Sequence, residues 1–400
     1  MKCPRRRLLV QLAVGLVMAI ATASGAEAPG RLVLAHYMPW YASKPVSGAW
    51  GWHWTMNHFN PETLRGDGTR EVASHDAPII GPYDSGDEHA LECQVLLMKF
   101  AGIDGVVIDW YGTADFRDYA AIHTNTQHLI THAKRAGLRF AICYEDQSVR
   151  HLVEAGRLPE GEAVDEGVRA MTWLARHCFS DPAYVSLDGR PVSMIFGPRY
   201  FTGEQWSTIR SGSPNPPWLF GLPHLSQGAG LDGAFGWPPV SGGKEIPREV
   251  WLAYLEQLRS HERSIPVVFP GFRDIYREAG LHESYGFIDS RGGNTFKETL
   301  SLALAGRTQI VQIATWNDYG EGTVIEPTVR NGYRYLEMVQ AALPARAAFT
   351  PEDLRLPVKL YTLRKQVAGD ATLAAKLQQA SDLLYAGKCT EARSLLDAAR

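Results

Sequence analysis

Eight short apolar runs, separated by stretches of helical periodicity, constrain this chain more than any other feature. The runs lie at 31–37, 104–110, 138–144, 191–196, 217–222, 232–236, 265–270 and 308–315. Most are unbroken, as in DGVVIDW at 104–110, rather than alternating polar and apolar. Unbroken runs suit strands covered on both faces, as in a parallel sheet. Between them the spacing predicts helices at 87–101, 118–136, 163–178, 204–210, 247–261, 273–279 and 294–306. Strands alternating with helices predict an α/β protein, here a single (β/α)8 TIM barrel. An open doubly wound sheet is the competing arrangement, but its usual fingerprint is missing. GAGLDG at 228–233 fits G-x-G-x-x-G yet precedes a strand and opens no helix.

Three segments follow along the chain. Residues 1–28 read as a signal peptide: Lys2, Arg5, Arg6 and Arg7, an apolar run over 8–21, then Ala-x-Ala options at Ala21/Ala23 and Ala26/Ala28. The expectation is export, to a periplasm or the exterior. The apolar run is too short to span a bilayer comfortably, and no membrane span is expected in the mature chain. Residues 29–345 hold the barrel, with a long first βα connection at 38–86 that carries Trp40, Tyr41, Trp50, Trp52, Trp54 and Tyr83. A connection of that length inside a compact domain is usually functional. Residues 346–400 form a helical C-terminal extension. Within it 368–399 reads as a helix pair turning at Gly387, somewhat like half a tetratricopeptide unit. One such unit cannot stack on neighbours, so a terminal hairpin against the barrel is the expectation.

Composition narrows the function. A net charge of −3 gives no basis for nucleic-acid binding. Cys93, Cys143, Cys178 and Cys389 are widely spaced with no C-x-x-C, so neither a zinc knuckle nor a redox dyad is expected; one bridge or buried free thiols are both open. Thirteen His, His36, His53, His58, His75 and His89 among them, show no H-E-x-x-H or similar spacing, so no metal or other cofactor is expected. There is no G-x-S-x-G elbow and no G-x-x-x-x-G-K-[ST] phosphate loop.

Barrel chemistry gathers where strands end. Past the first strand stand Trp40 and Tyr41; past the second Asp109, Trp110 and Tyr111; past the third Glu145 and Asp146; past the last Trp316, Asn317, Asp318, Tyr319 and Glu321. One rim thus collects carboxylates and aromatic rings. Cleaving a glycosidic bond needs a proton donor for the leaving oxygen and a carboxylate that activates water or the sugar. Any single rim acid could instead cap a helix or pair with Arg. Asp318 and Glu321 stand apart, because a Gly-containing loop with two acids is poor packing material. Glu326, followed by Pro327, reads as a loop anchor. Asp109 could bind substrate or satisfy backbone amides.

The segment TWNDYGEGTVIEPT at 315–328 resembles the signature of the endo-α-mannosidase family of glycoside hydrolases and the related fungal α-1,3-glucanases, a family 99/71-like pattern. HYMPWY at 36–41, GPYDSGD at 81–87, GIDGVVIDWYG at 102–112, ICYED at 142–146, PGFRD at 270–274 and RGGNTF at 291–296 agree in order. The resemblance spans about residues 31–340. It implies a (β/α)8 enzyme acting on an oligo- or polysaccharide with α linkages. It places the general acid/base at Glu321 and the assisting carboxylate at Asp318. It also implies substrate contacts from Tyr37, Trp40, Tyr41, Asp109, Trp110, Glu145, Trp316, Asn317 and Tyr319. The mannosidases carry Glu where this chain has Asp318. The shorter side chain leans toward the glucanase version, in which the Asp activates water. A non-hydrolytic relative, glycan-binding or active in surface-polysaccharide assembly, is the alternative. Retention of both Asp318 and Glu321 favours catalysis.

Overall fold

The computed structural model describes residues 30–261, 263–346, 348–367 and 370–399. The signal segment read at 1–28 lies outside the described residues. The parallel strands are β1 (Leu32–Tyr37), β2 (Gly105–Trp110), β3 (Arg139–Tyr144), β4 (Arg190–Ile195), β5 (Trp218–Gly221), β6 (Gly233–Phe235), β7 (Ser264–Ile265 continuing as Val267–Val268) and β8 (Ile310–Ile313). The order is sequential, and β8 returns to β1 with Leu32 opposite Ile310. Pro266 interrupts β7 because proline offers no N–H to the ladder. Its first half pairs with β6 through Ala234 and Ser264, its second with β8 through Val267 and Gln312. The β8 strand is thereby held on both sides, which closes a (β/α)8 barrel.

Alternation along each strand separates the lumen from the outer layer. Leu34, Val107, Cys143, Met194, Phe220, Phe235 and Ile265 fill the lumen. Val33, Ala35, Tyr37, Val106, Ile108 and Trp110 point out and pack under helices. Those helices are α1 (Glu88–Ala101), α2 (Tyr119–Arg135), α3 (Gln147–Glu154), α4 (Ala163–His177), α5 (Gly203–Arg210), α6 (Arg248–Arg259), α7 (Asn294–Ala305) and α8 (Arg334–Ala342). Asp87 caps α1 by accepting the His89 N–H at 3.0 Å.

Three features depart from the sequence-based expectation. The α3 helix was not foreseen. The first connection, in which the sequence shows no clear helix, contains two four-residue helices, Lys44–Ser47 and Trp52–Thr55. Residues 273–279 are not a helix. Phe272 and Arg273 instead pair antiparallel with Ile288 and Phe287, after the Pro270-Gly271 break. Tertiary bonds override helical periodicity there: Arg273 N–H donates to Glu321 O at 2.9 Å and Ile275 N–H to Gly320 O at 3.0 Å.

After the barrel come α9 (Arg355–Gln366), α10 (Ala371–Tyr385) and α11 (Cys389–Asp397), with Gly387 in the left-handed region at the turn between the last two. The α9 helix lies along α1, where Arg364 meets the buried Glu92 at 2.9 Å. Cys93, Cys143, Cys178 and Cys389 are free and buried. Among the described residues no helix is long and apolar enough to cross a membrane.

Candidate active site

The connection after β8 is tied into a compact knot. Thr315 N–H donates to Thr323 O at 2.8 Å, Glu326 N–H to Trp316 O at 3.0 Å, and Trp316 N–H to His36 O at 2.7 Å. Asn317 spans to the first strand's exit: its Oδ1 accepts Met38 N–H at 2.8 Å and its Nδ2 donates to Met38 O at 3.0 Å. At the base, the buried Glu326 accepts from Tyr83 Oη, Tyr319 Oη and Gln94 Nε2 at 2.9, 2.9 and 2.7 Å. Gly322 sits at φ 65° against the Arg273 carbonyl, where a Cβ would come within 2.6 Å. Only glycine meets both demands, the left-handed conformation and the close approach.

This knot presents Asp318 and Glu321 to a cleft of about 750 Å³ at the C-terminal mouth of the barrel. Trp40, Tyr41, Asp109, Glu145 and Trp237 share its walls. A second hollow of about 550 Å³ adjoins it, reached past Trp40, Trp52, His53 and Tyr111. Trp40 and His53 stack with ring centres 4.2 Å apart.

The cleft is rich in carboxyl groups held away from water. Burial raises the pKa of Glu321 well above the usual carboxylate range, and the neighbouring Asp318 pushes it further the same way. Trp237 Nε1 donates to Glu321 Oε2 at 3.3 Å and opposes that rise. Burial raises Asp318 to about 6, against the backbone amides of Glu321 and Gly320 that favour its anion. The Glu321 N–H reaches Asp318 Oδ1 at 3.0 Å. Glu145 is raised to about 7, chiefly by burial, while its bond from Gln147 acts downward. Asp109 is raised well above its ordinary value by burial, then by Glu145 and Asp318, and both its oxygens are buried without a hydrogen-bond partner. The arrangement therefore supplies one carboxyl group, Glu321, pushed toward its neutral form beside another, Asp318, that ionises near pH 6, which is the division of labour acid/base chemistry needs.

No protein-family model and no curated protein matches the sequence. Solved structures do match. The GH99 endo-alpha-mannosidase from Bacteroides thetaiotaomicron aligns at TM-score 0.58 with 17% identity, covering 81% of this chain and 98% of that one. Its complex with bis-tris-propane aligns at 0.57 with 18% identity, covering 79% and 98%. A glycoside hydrolase-like protein aligns at 0.52 with 13% identity, covering 78% and 94%. This chain has the GH99-type barrel fold.

Within the GH99-type barrel, the residues singled out from the sequence divide into two sets. Trp40, Tyr41, Asp109, Glu145, Asp318 and Glu321 line the cleft. Tyr37, Trp110, Trp316, Asn317 and Tyr319 do not; all are fully buried beneath it. Strand alternation explains two of these corrections. His36 and Asp109 face the lumen, so Tyr37 and Trp110 must face the helices. Accordingly Tyr37 Oη donates to Gln94 Oε1 in α1 at 2.6 Å, and the Trp110 ring stacks on Trp173 of α4. Trp316, Asn317 and Tyr319 are turned into the knot that holds the acids, not into the cleft. The sequence reading assigned no role to Trp237, Arg199, Tyr276, Tyr285 and His36, and placed Tyr111 on the rim without one; all six are on the cleft wall. Trp237 stands two positions past the end of β6 and was open to the same rim argument. Tyr276 comes from the segment expected to be a helix, and Tyr285 from the stretch that follows it.

Proposed function

We propose that this protein is a glycoside hydrolase that cleaves an α-linked glycan of the α-mannan or α-1,3-glucan type, with Glu321 as proton donor and Asp318 as its carboxylate partner. One observation carries the proposal: two carboxyl groups, three positions apart on one loop, share an aromatic-walled cleft that raises the pKa of both. Trp237 occupies Oε2 of Glu321, so the carboxyl proton belongs on Oε1, free to pass to a leaving oxygen. Asp318 keeps its Oδ1 on the loop backbone and offers its other oxygen to the sugar's own hydroxyl or to a water. Aromatic rings such as Trp40 stack against the apolar faces of sugar rings. The GH99-type fold and the loop sequence at 315–328 support the same reading. Export through residues 1–28 belongs to the proposal, since it would bring the enzyme to external polysaccharide.

The test is turnover of α-mannan and α-1,3-glucan oligosaccharides, with the first-released anomer followed by NMR. Hydrolysis of either confirms the class, and the anomer tells which role Asp318 plays. A protein that binds both oligosaccharides and cleaves neither is a glycan-binding relative.

Two pH limbs are expected. The rate climbs as pH rises through about 6, where Asp318 gains its negative charge. It falls on the alkaline side as Glu321 loses its proton. Because the Trp237 bond favours the Glu321 anion, Trp237→Phe should raise the acid's pKa. The alkaline limb should then move to higher pH by up to about one unit, the effect of about 1.4 kcal/mol. A limb that stays in place or moves to lower pH separates Trp237 from the acid.

A further inference from the structure

Three side chains with ligand chemistry converge at the floor of the cleft from adjacent strands: His36 of β1, Asp109 of β2 and Cys143 of β3. Asp109 and Cys143 are register partners, so both necessarily face the lumen. All three are buried, and one ligand atom from each lies within 4.8 Å of the other two.

The hydrogen-bond pattern around His36 determines which nitrogen it offers. Gln312 Nε2 donates to Gly236 O at 2.9 Å, which turns the amide oxygen toward His36 Nδ1 at 3.1 Å. That oxygen can only accept, so Nδ1 carries the hydrogen. Burial lowers the His36 pKa to about 4, so the ring is neutral and Nε2 bears a lone pair. Nε2 is buried with no hydrogen-bond partner, as are both oxygens of Asp109. Unpartnered polar atoms of His36 and Asp109 thus stand close to the Cys143 sulfur. A histidine whose other nitrogen is held by a second-shell acceptor is the usual form of a metal ligand.

We propose that His36 Nε2, Asp109 and Cys143 form a binding site for a divalent cation of the zinc class, open on the cleft side to a fourth ligand. Imidazole nitrogen, carboxylate oxygen and thiolate sulfur together suit a borderline cation and disfavour calcium or magnesium, which take oxygen ligands. The size is right. A point central to atoms this close lies no more than about 2.8 Å from each, and side-chain settling of about half an ångström reaches bonds of about 2.0–2.3 Å. Three protein ligands with a vacant fourth direction is the composition of an open site, not of a closed structural one. His36 and Asp109 both line the cleft, so water or a substrate oxygen would take that direction. The spacing of these residues, 73 and 34 positions apart, is why no sequence motif marks them. This inference does not depend on the hydrolase reading.

The experiment uses the full chain, stripped with a chelator, dialysed and titrated with cobalt(II) as the probe. The expected result is saturation at one cobalt per chain, with the visible bands of a low-coordinate ion and a near-ultraviolet thiolate-to-cobalt band. Zinc(II) should displace it. Cys143→Ala should remove the thiolate band, and His36→Gln should weaken binding at least about tenfold. Circular dichroism shows whether each variant is folded. Should Cys143→Ala not fold, Cys143→Ser keeps the volume and serves the same purpose. The proposal is overturned if wild type shows no saturable binding, or if folded His36→Gln and Cys143 variants give the wild-type spectrum and affinity. The readout is spectroscopic, so its failure leaves the glycosidase assay standing, and the reverse also holds.

Discussion

Glu321→Gln should lower turnover of an α-linked oligosaccharide by about 10²–10⁴-fold, the usual contribution of a positioned general acid. The substitution removes the transferable proton and keeps the side chain's size and its capacity to accept from Trp237 Nε1. Binding should change little, so the loss falls on kcat rather than KM. The alkaline limb should vanish with the proton that causes it. A substrate with a leaving group that needs no protonation, such as an activated aryl glycoside, should recover much of the lost rate. Retention of full activity by a folded Glu321→Gln protein would remove the proton-donor role from this residue. Steady-state kinetics on both substrate types, across pH, decide the matter.

Glu326→Ala should be the most destabilising single change in the loop. It strips the shared acceptor from Tyr83, Tyr319 and Gln94, all buried, and opens a cavity beneath Asp318 and Glu321. Each buried donor left unpaired costs about 1–3 kcal/mol, so a total of about 3 kcal/mol or more is expected. Glu326→Gln keeps an acceptor and should cost less. Burial holds the Glu326 pKa up at about 7 despite its three donors. A carboxyl raised in the folded state favours folding while protonated. Its contribution is therefore complete below about 4.5, the unfolded value, and lost as pH rises through about 7. Asp109, Asp318, Glu145 and Glu321 are shifted in the same sense and reinforce the trend. Denaturant unfolding of wild type and Glu326→Gln between pH 5 and 8 checks it: the variant should show a shallower loss of stability with rising pH.

How far the sequence could be read differs from element to element. The unbroken apolar runs of β1, β2, β3 and β8 fix strands by burial alone, and all fall where expected. The 273–279 stretch has helical periodicity but forms the end of a short ribbon and then a turn, because the Arg273 and Ile275 amides are taken by the Glu321 and Gly320 carbonyls across the barrel mouth. Such long-range capture leaves no mark in local spacing. The same limit governs the site. Asp318 and Glu321 share one loop, so their proximity follows from chain connectivity. Trp237, 84 positions from Glu321, meets it only because the barrel brings the ends of β6 and β8 to one mouth.

By itself, then, the sequence determined the barrel, through the order and apolarity of its strands, and the acid pair, through covalent nearness on a glycine-bearing loop. Tertiary structure alone decided which aromatic residues face the cleft and which face the helices. The inward-or-outward choice follows strand register, in which a shift of one position reverses every side chain. Tertiary structure alone also set the protonation of the acids, since that depends on how completely water is excluded around them. It alone brought His36, Asp109 and Cys143 together, because three residues on separate strands become neighbours only when the sheet closes.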